Sequence, residues 1–267
     1  MPDPVPPDLV GALRGTAIAP FGEPLHYFTE TGSTNDMAAA LAEQGAPEGT
    51  TIVASAQSAG RGRLGRQWYS PPDAGLYVSV VCRNEQTAPF LTLAGGVAVA
   101  EGIVAATGLP VELKWPNDVV VADARGSNRR RKLAGVLAEA ASDGCGLQYV
   151  VLGFGVNLRP AAYPSSIAYR ATSLETELGR PVDAGLLLAA ILESLAAHFK
   201  SLSNGDAKAL LARCRQLTPS AVGAPVECER AGSTWRGVTA GIADDGALLV
   251  RTGGRTERVR AGEVVWK

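Results

Sequence analysis

The stretch "SAQSAGRGRLGRQW", residues 55–68, sets Gly60, Gly62 and Gly65 among Arg61, Arg63 and Arg66 and ends on Trp68. Glycine lets a backbone approach a ligand closely or take positive φ. Arginine presents a planar fork suited to phosphate and carboxylate. A loop made of both repels itself and is expected to gain order when an anion arrives. A solvated connection and a minor-groove nucleic-acid segment fit the same composition.

Four further motifs have residue types that can do chemistry. "STND", 33–36, places Ser33, Thr34 and Asn35 at a helix N-terminus, where hydroxyls and an amide either cap the helix or serve a ligand. "KWPND", 114–118, ends a strand at Pro116 and sets Asn117 and Asp118 on a turn. That acceptor pair suits Mg²⁺ or a ribose, and also an ordinary turn. In "RKLAGVLAE", 131–139, Lys132 heads an apolar strand. Aimed inward it needs an anion; aimed outward it meets water. In "GFGVN", 153–157, Gly153 and Gly155 permit close approach of a ligand at a strand end, and Asn157 offers a donor and an acceptor. No helix with a third glycine follows, so this is not a dinucleotide fingerprint.

These residues need a scaffold. "GSTNDMAAALAEQG" predicts a helix capped by Ser33 or Thr34 and stopped at Gly45. "TTIVASAQ" and "GLYVSVVCR" predict strands on either side of the arginine-glycine loop. "FLTLAGGVAVAEGIVAATG" predicts a helix apolar nearly all round, hence buried. "VELKW", "VVVA", "KLAGVLAEAA" and "LQYVVLGFGVNL" predict four more strands, with the basic stretch Arg125 to Arg131 as a turn. Helices follow near 183–202 and 206–215. From Val222 onward, short strands with glycine-bearing turns predict a small β-barrel, a second domain over 219–267. The expected class is α+β, a mixed sheet with helices covering one face.

Composition sets the bounds. The chain has 267 residues, 46% hydrophobic, with a formal net charge of −1, which excludes fibrous and disordered classes and disfavours bulk nucleic-acid binding. Cys82, Cys145, Cys214 and Cys228 are widely spaced, so each is expected to be a small reduced apolar residue. His26 and His198, the two histidines, are read as structural. No uncharged apolar run reaches transmembrane length. The start, "MPDPVPPDLVG", is acidic and proline-rich, unlike a signal peptide. Residues 1–24 are therefore read as a flexible tail of a cytoplasmic protein.

The order "STN", "GRGRLGR", "KWPND", "KLAG", "GFGVN", followed by a small barrel, resembles the biotin protein ligase family from about residue 25 to the end. The resemblance implies a catalytic domain over 25–218, an SH3-like C-terminal barrel, and biotin and ATP bound side by side. It implies that Ser33, Thr34, Asn35 and Gln57 border the biotin ureido ring. Arg61, Gly62 and Arg63 would close over biotin and the adenylate, and Lys132 would reach the biotin carboxylate and the α-phosphate. Gly60, Arg66, Asn117, Asp118 and Asn157 would lie on the nucleotide side, with Asp118 as the candidate Mg²⁺ ligand. Lys132 and Arg63 are the expected catalytic cations. The implied partner is a biotin carboxyl carrier domain, with no DNA and no membrane, the enzyme being a monomer or homodimer. Some family members begin with a DNA-binding helix-turn-helix; with a short proline-rich start, none is expected here. The stretch between Asp118 and Lys132 is long for the family. If that hairpin is simply extended, Lys132 keeps its place. The rival readings are a lipoate or octanoyl transferase of the same fold and, from another class, a nucleic-acid-binding regulator.

Overall fold

The computed structural model describes residues 1–121, 130–230, 233–260 and 262–266. The basic turn falls largely outside them, at 122–129. The chain opens with α1 (Pro7–Leu13), whose first position is a proline, where a missing N–H is harmless. The expectation of a flexible tail is corrected here. Leu9 and Phe21 are buried, at 5% and 1% exposure. Phe21 meets Phe199 edge to face at 5.3 Å, and the Asp3 N–H donates to the Tyr27 carbonyl. A few apolar side chains spaced among the prolines are enough to anchor the segment, because each finds cover in the core.

Strands β1 (Leu25–Phe28), β2 (Thr51–Ala54), β3 (Gly75–Cys82), β4 (Glu112–Lys114), β5 (Asp118–Val121), β6 (Arg131–Asp143) and β7 (Gly146–Asn157) form one sheet in the order β1-β2-β3-β7-β6-β5-β4. It is mixed: β1 and β2 run parallel, and the other neighbours are antiparallel. Asp118, expected on a turn, is the first residue of β5.

Helix α2 (Thr34–Glu43) follows β1, and α3 (Leu91–Thr107) follows β3. After β7 come the short α4 (Ser165–Ala168) and α5 (Leu174–Leu178), then α6 (Ala184–Ser203) and α7 (Lys208–Leu217). By length and composition α3, with the turn before it, and α6 could each cross a membrane. Here both bury most of their length in the core on one face of the sheet. The expected mixed sheet with helices covering one face is found, and α2 adds a helix on the other. Ala38 and Ala42 of α2 pack with Ile52, Ala54, Val81 and Val151 on the opposite face. Strand β3 is consequently buried on both sides, which is why it reads as a continuous apolar run rather than an alternation.

The C-terminal strands β8 (Val222–Arg230), β9 (Ser233–Ile242), β10 (Leu248–Thr252), β11 (Arg255–Val259) and β12 (Glu263–Trp266) form an antiparallel sheet in the order β11-β10-β9-β8-β12. Between β11 and β12 the chain turns at Gly262, whose φ of +104° suits glycine, and β12 then returns to pair with β8. This module is not a separate body. Trp115 donates its indole N–H to the Gly246 carbonyl at 3.0 Å, and Arg215 donates to the Ile242 carbonyl at 2.9 Å. Leu93 and Trp115 share one contiguous core with Val226, Ile242, Leu248 and Val250.

Candidate active site

A cleft partly open to solvent lies on the α2 side of the sheet. Its floor follows from register. Ser79 pairs with Gly153 and Gly153 with Leu137; in the next row Tyr77 pairs with Gly155 and Gly155 with Gly135. Cross-strand partners point to the same face, so three glycines hollow one patch of the sheet. The hollow is filled by protein as much as by a ligand. A Cβ on Gly153 would stand 2.0 Å from Asn35 Oδ1, and one on Gly155 would stand 2.4 Å from Trp68 Nε1. The expectation that these glycines serve ligand approach directly is thus modified: they seat two side chains that themselves line the cleft.

The wall is a connected polar network. Ser33 holds the N-cap position of α2 without a side-chain bond to the helix. Thr34 donates its N–H (2.8 Å) and its hydroxyl (3.1 Å) to Gln57 Oε1. The Thr34 N–H can only donate, so it fixes Gln57 Oε1 towards itself and leaves Nε2 to donate to Ser70 Oγ at 2.9 Å. The buried Ser79 hydroxyl lies 2.8 Å from Thr34 Oγ1 and 2.6 Å from Asn35 Oδ1. Asn35 Nδ2 donates to Glu139 Oε2 at 2.7 Å. Ser33, Thr34, Asn35 and Gln57 are therefore brought together on one wall of the cleft.

The arginine-glycine loop covers this wall. Arg61 is bound by the Asp36 and Glu139 carboxylates. Arg63 donates to Asn117 Oδ1 at 3.1 Å and to the Gly262 carbonyl at 3.3 Å, spanning from the "KWPND" turn to the C-terminal module. Leu64 takes a left-handed conformation, φ +58°, with its side chain exposed. The loop's cations thus meet carboxylates and carbonyls that the chain itself supplies.

Lys132 reaches the cleft by a register device. Opposite β5 the pairing steps from Val119–Ala134 to Val120–Lys132, so Leu133 is the extra residue of a β-bulge. A bulge changes the parity of facing. Lys132 comes to the same side as Gly135, where a Cβ would stand 3.1 Å from its ammonium. The backbone there is pinned by Lys132 N–H to the Arg170 carbonyl and Thr172 N–H to the Lys132 carbonyl. The ammonium lies 2.6 Å from Asp118 Oδ1 and 5.0 Å from the centroid of the Trp68 ring. Lys114, more than half buried, has its pKa lowered, first by burial and further by the positive charges of Lys132, Arg170 and Arg130, against the opposing pull of Asp118. Cations therefore gather at the Lys132 end of the cleft, offset in part by Asp118 and Glu112.

Other expected residues lie elsewhere. Asn157 is buried behind β6, donating to the Thr172 carbonyl at 2.9 Å, and does not line the cleft. Gly60 and Arg66 also fall outside the lining. Asn117 does line it, with its Nδ2 anchored on the Val136 carbonyl. Asp118 faces the Lys132 ammonium, and among the described residues no group of three His, Cys, Asp or Glu side chains is placed to hold a metal. The donor set does not fit a magnesium ion held by protein alone. Sequence reasoning missed Ser79, Glu139 and Lys114. Glu139 and Lys114 stand inside quoted motifs. Ser79, a lone hydroxyl in an apolar strand, was the legible signal.

Residues 27–157 match the biotin/lipoate A/B protein ligase family, and residues 222–266 match the biotin protein ligase C-terminal domain. The chain is 37% identical over 252 residues to the biotin--[acetyl-CoA-carboxylase] ligase of Mycobacterium tuberculosis, covering 90% of this chain and 88% of that one. It is 30% identical over 249 residues to the bifunctional ligase/repressor BirA of Bacillus subtilis, covering 91% and 74%. The biotin protein ligase of Aquifex aeolicus, solved in complex with biotin and ATP, superposes with a TM-score of 0.77 at 28% identity, covering 91% and 98%. With a polar wall, a glycine floor and a cationic end in one cleft, and with both sequence matches spanning the two modules, this chain belongs to the biotin protein ligase family.

Proposed function

We propose that the chain is an ATP-dependent biotin–protein ligase. The observation that carries this reading is the layout of the cleft: amide and hydroxyl groups at one end, and Arg63 and Lys132 at the other. Biotin has a ureido ring that wants donors and acceptors together, and a carboxylate that wants cations. Ser33, Thr34, Asn35 and Gln57 would hold the ring, with Trp68 against its side.

In the first step a biotin carboxylate oxygen attacks the α-phosphorus of ATP, an O–P bond forms, and pyrophosphate leaves. Carboxylate and phosphate repel each other, so the barrier falls when fixed cations sit on both. Lys132 and Arg63 would take that role, and Lys114, Arg130 and Arg170 would extend the positive field. Magnesium would arrive with the nucleotide's own phosphates. In the second step a lysine ε-amine of the acceptor attacks the acyl carbon, AMP leaves, and the amine loses a proton. The Arg61–Arg63 segment over the cleft would exclude water from the acyl-phosphate between the steps. A biotin carboxyl carrier domain is the proposed acceptor.

The nucleic-acid reading draws less support, because Arg61 and Arg63 are turned onto partners within the chain. The deciding experiment is incorporation of labelled biotin into a carrier domain with ATP, with lipoate and octanoate as competing substrates. ATP-dependent labelling of one lysine by biotin is expected. Equal or preferred transfer of lipoate would overturn the assignment.

A further inference from the structure

Asn35 can sit in its pocket in two ways, because its amide oxygen and nitrogen exchange places by a half turn. Its oxygen lies 2.6 Å from the Ser79 hydroxyl and its nitrogen 2.7 Å from Glu139 Oε2. A hydroxyl both donates and accepts, so Ser79 tolerates either arrangement. A carboxylate only accepts. Glu139 is thus the member of the network that dictates which way the amide points. The missing Cβ of Gly153 is what admits the oxygen to its side of the pocket, since a Cβ there would stand 2.0 Å from it.

The second Glu139 oxygen accepts from Arg61 Nη2, while Arg61 Nη1 is taken by Asp36. A single carboxylate on β6 therefore grips the cleft wall with one oxygen and the covering loop with the other. We infer that Glu139 is a positioning residue for biotin capture: it sets the Asn35 amide orientation and couples that orientation to the seating of the arginine-glycine loop. The inference rests on the biotin reading for its first half; the second half stands on the contacts alone. The Asp36 carboxylate shares Arg61, while the Asn35 amide bonds to Glu139 and Ser79, so the two carboxylates separate the two roles.

The test compares Glu139→Gln with Asp36→Asn. Glutamine keeps the shape of Glu139, yet it can accept from or donate to Asn35, so it no longer imposes an orientation. It also removes the charge opposite Arg61. Asp36→Asn removes charge opposite Arg61 only. Amide hydrogen exchange of residues 60–66 is measured in the ligand-free proteins, and KM for biotin and kcat for pyrophosphate release are measured with ATP. Glu139→Gln should speed exchange in the loop and raise KM for biotin about tenfold, with kcat moved much less, as loss of a charged hydrogen bond used in binding predicts. Asp36→Asn should speed loop exchange and leave KM within about threefold, as for an exposed ion pair. An unchanged KM in Glu139→Gln, or equal KM shifts in both variants, overturns the orientation role. Loop exchange equal to wild type in both variants overturns the coupling. A wild-type protein that releases no pyrophosphate from biotin and ATP would sink the biotin reading instead, and loop exchange would still decide the coupling.

Discussion

Lys132 Nζ lies 2.6 Å from Asp118 Oδ1, so the cation assigned to the reacting phosphate is held in place by a carboxylate of the neighbouring strand. Replacing Lys132 with alanine removes a charged donor where negative charge develops. Pyrophosphate release should fall by about 10²–10³, the loss expected for one such group, while the melting temperature stays near wild type. A folded Lys132→Ala protein with a near-normal rate would refute the assignment.

Gly153→Ala tests the floor. The new Cβ would stand 2.0 Å from Asn35 Oδ1, so Asn35 must move. The expected cost is about 1–3 kcal/mol of stability, as for overpacking elsewhere, together with weaker biotin binding measured by calorimetry. Gly144→Ala, which meets nothing within 4 Å, is the control and should change neither.

Trp115→Phe keeps an aromatic ring but leaves the Gly246 carbonyl without its indole donor. A loss of about 1–3 kcal/mol is expected, the penalty for an unsatisfied buried acceptor. The urea midpoint should shift with an unchanged slope. An unshifted midpoint would mean that water replaces the bond at no net loss.

Glu101 joins three helices: its carboxylate takes hydrogen bonds from Ser194 Oγ at 2.6 Å and Arg213 Nε at 2.8 Å and lies 3.0 Å from His198 Nε2. Burial alone would raise its pKa. The bonds to His198, Ser194 and Arg213 outweigh burial and hold it down to about 2, from an ordinary 4.5. A carboxyl depressed in the folded state stabilises the protein above its unfolded pKa, and that contribution is lost as pH falls through the folded value. Glu101→Gln should therefore be less stable than wild type at pH 7. The gap should narrow between about pH 4.5 and pH 2. A gap that is constant over that range in acid titrations followed by circular dichroism would contradict the linkage.

The motifs were legible because their residue types are chemically unusual where they stand: arginines among glycines, a lysine heading an apolar strand, hydroxyls opening a helix. The helices α3 and α6 were legible for a different reason, their long apolar runs. Long-range pairing was not. Asn157 has the chemistry of a ligand contact, and only the return of residues 170–172 to the head of β6 shows that its amide serves the backbone. Glu139 reads as the polar end of an apolar strand until register sets it beside Asn35. The bulge at Leu133, which turns Lys132 into the cleft, has no local signature. In the first residues the prolines concealed an anchored helix, since burial of Leu9 and Phe21 depends on partners more than a hundred positions away.

The core that runs unbroken from the seven-stranded sheet into the C-terminal strands governs how the molecule comes apart. A chain that composition divides near residue 218 has no seam there in the packing. Heat should melt it in a single cooperative transition, with van't Hoff and calorimetric enthalpies in agreement, rather than in two steps. Cutting it at that point would strip cover from Leu93 and Trp115 and leave an indole N–H facing solvent beside the "KWPND" turn. The two modules are then a single thermodynamic unit, and an isolated fragment of either would present a sticky apolar face in place of an interface.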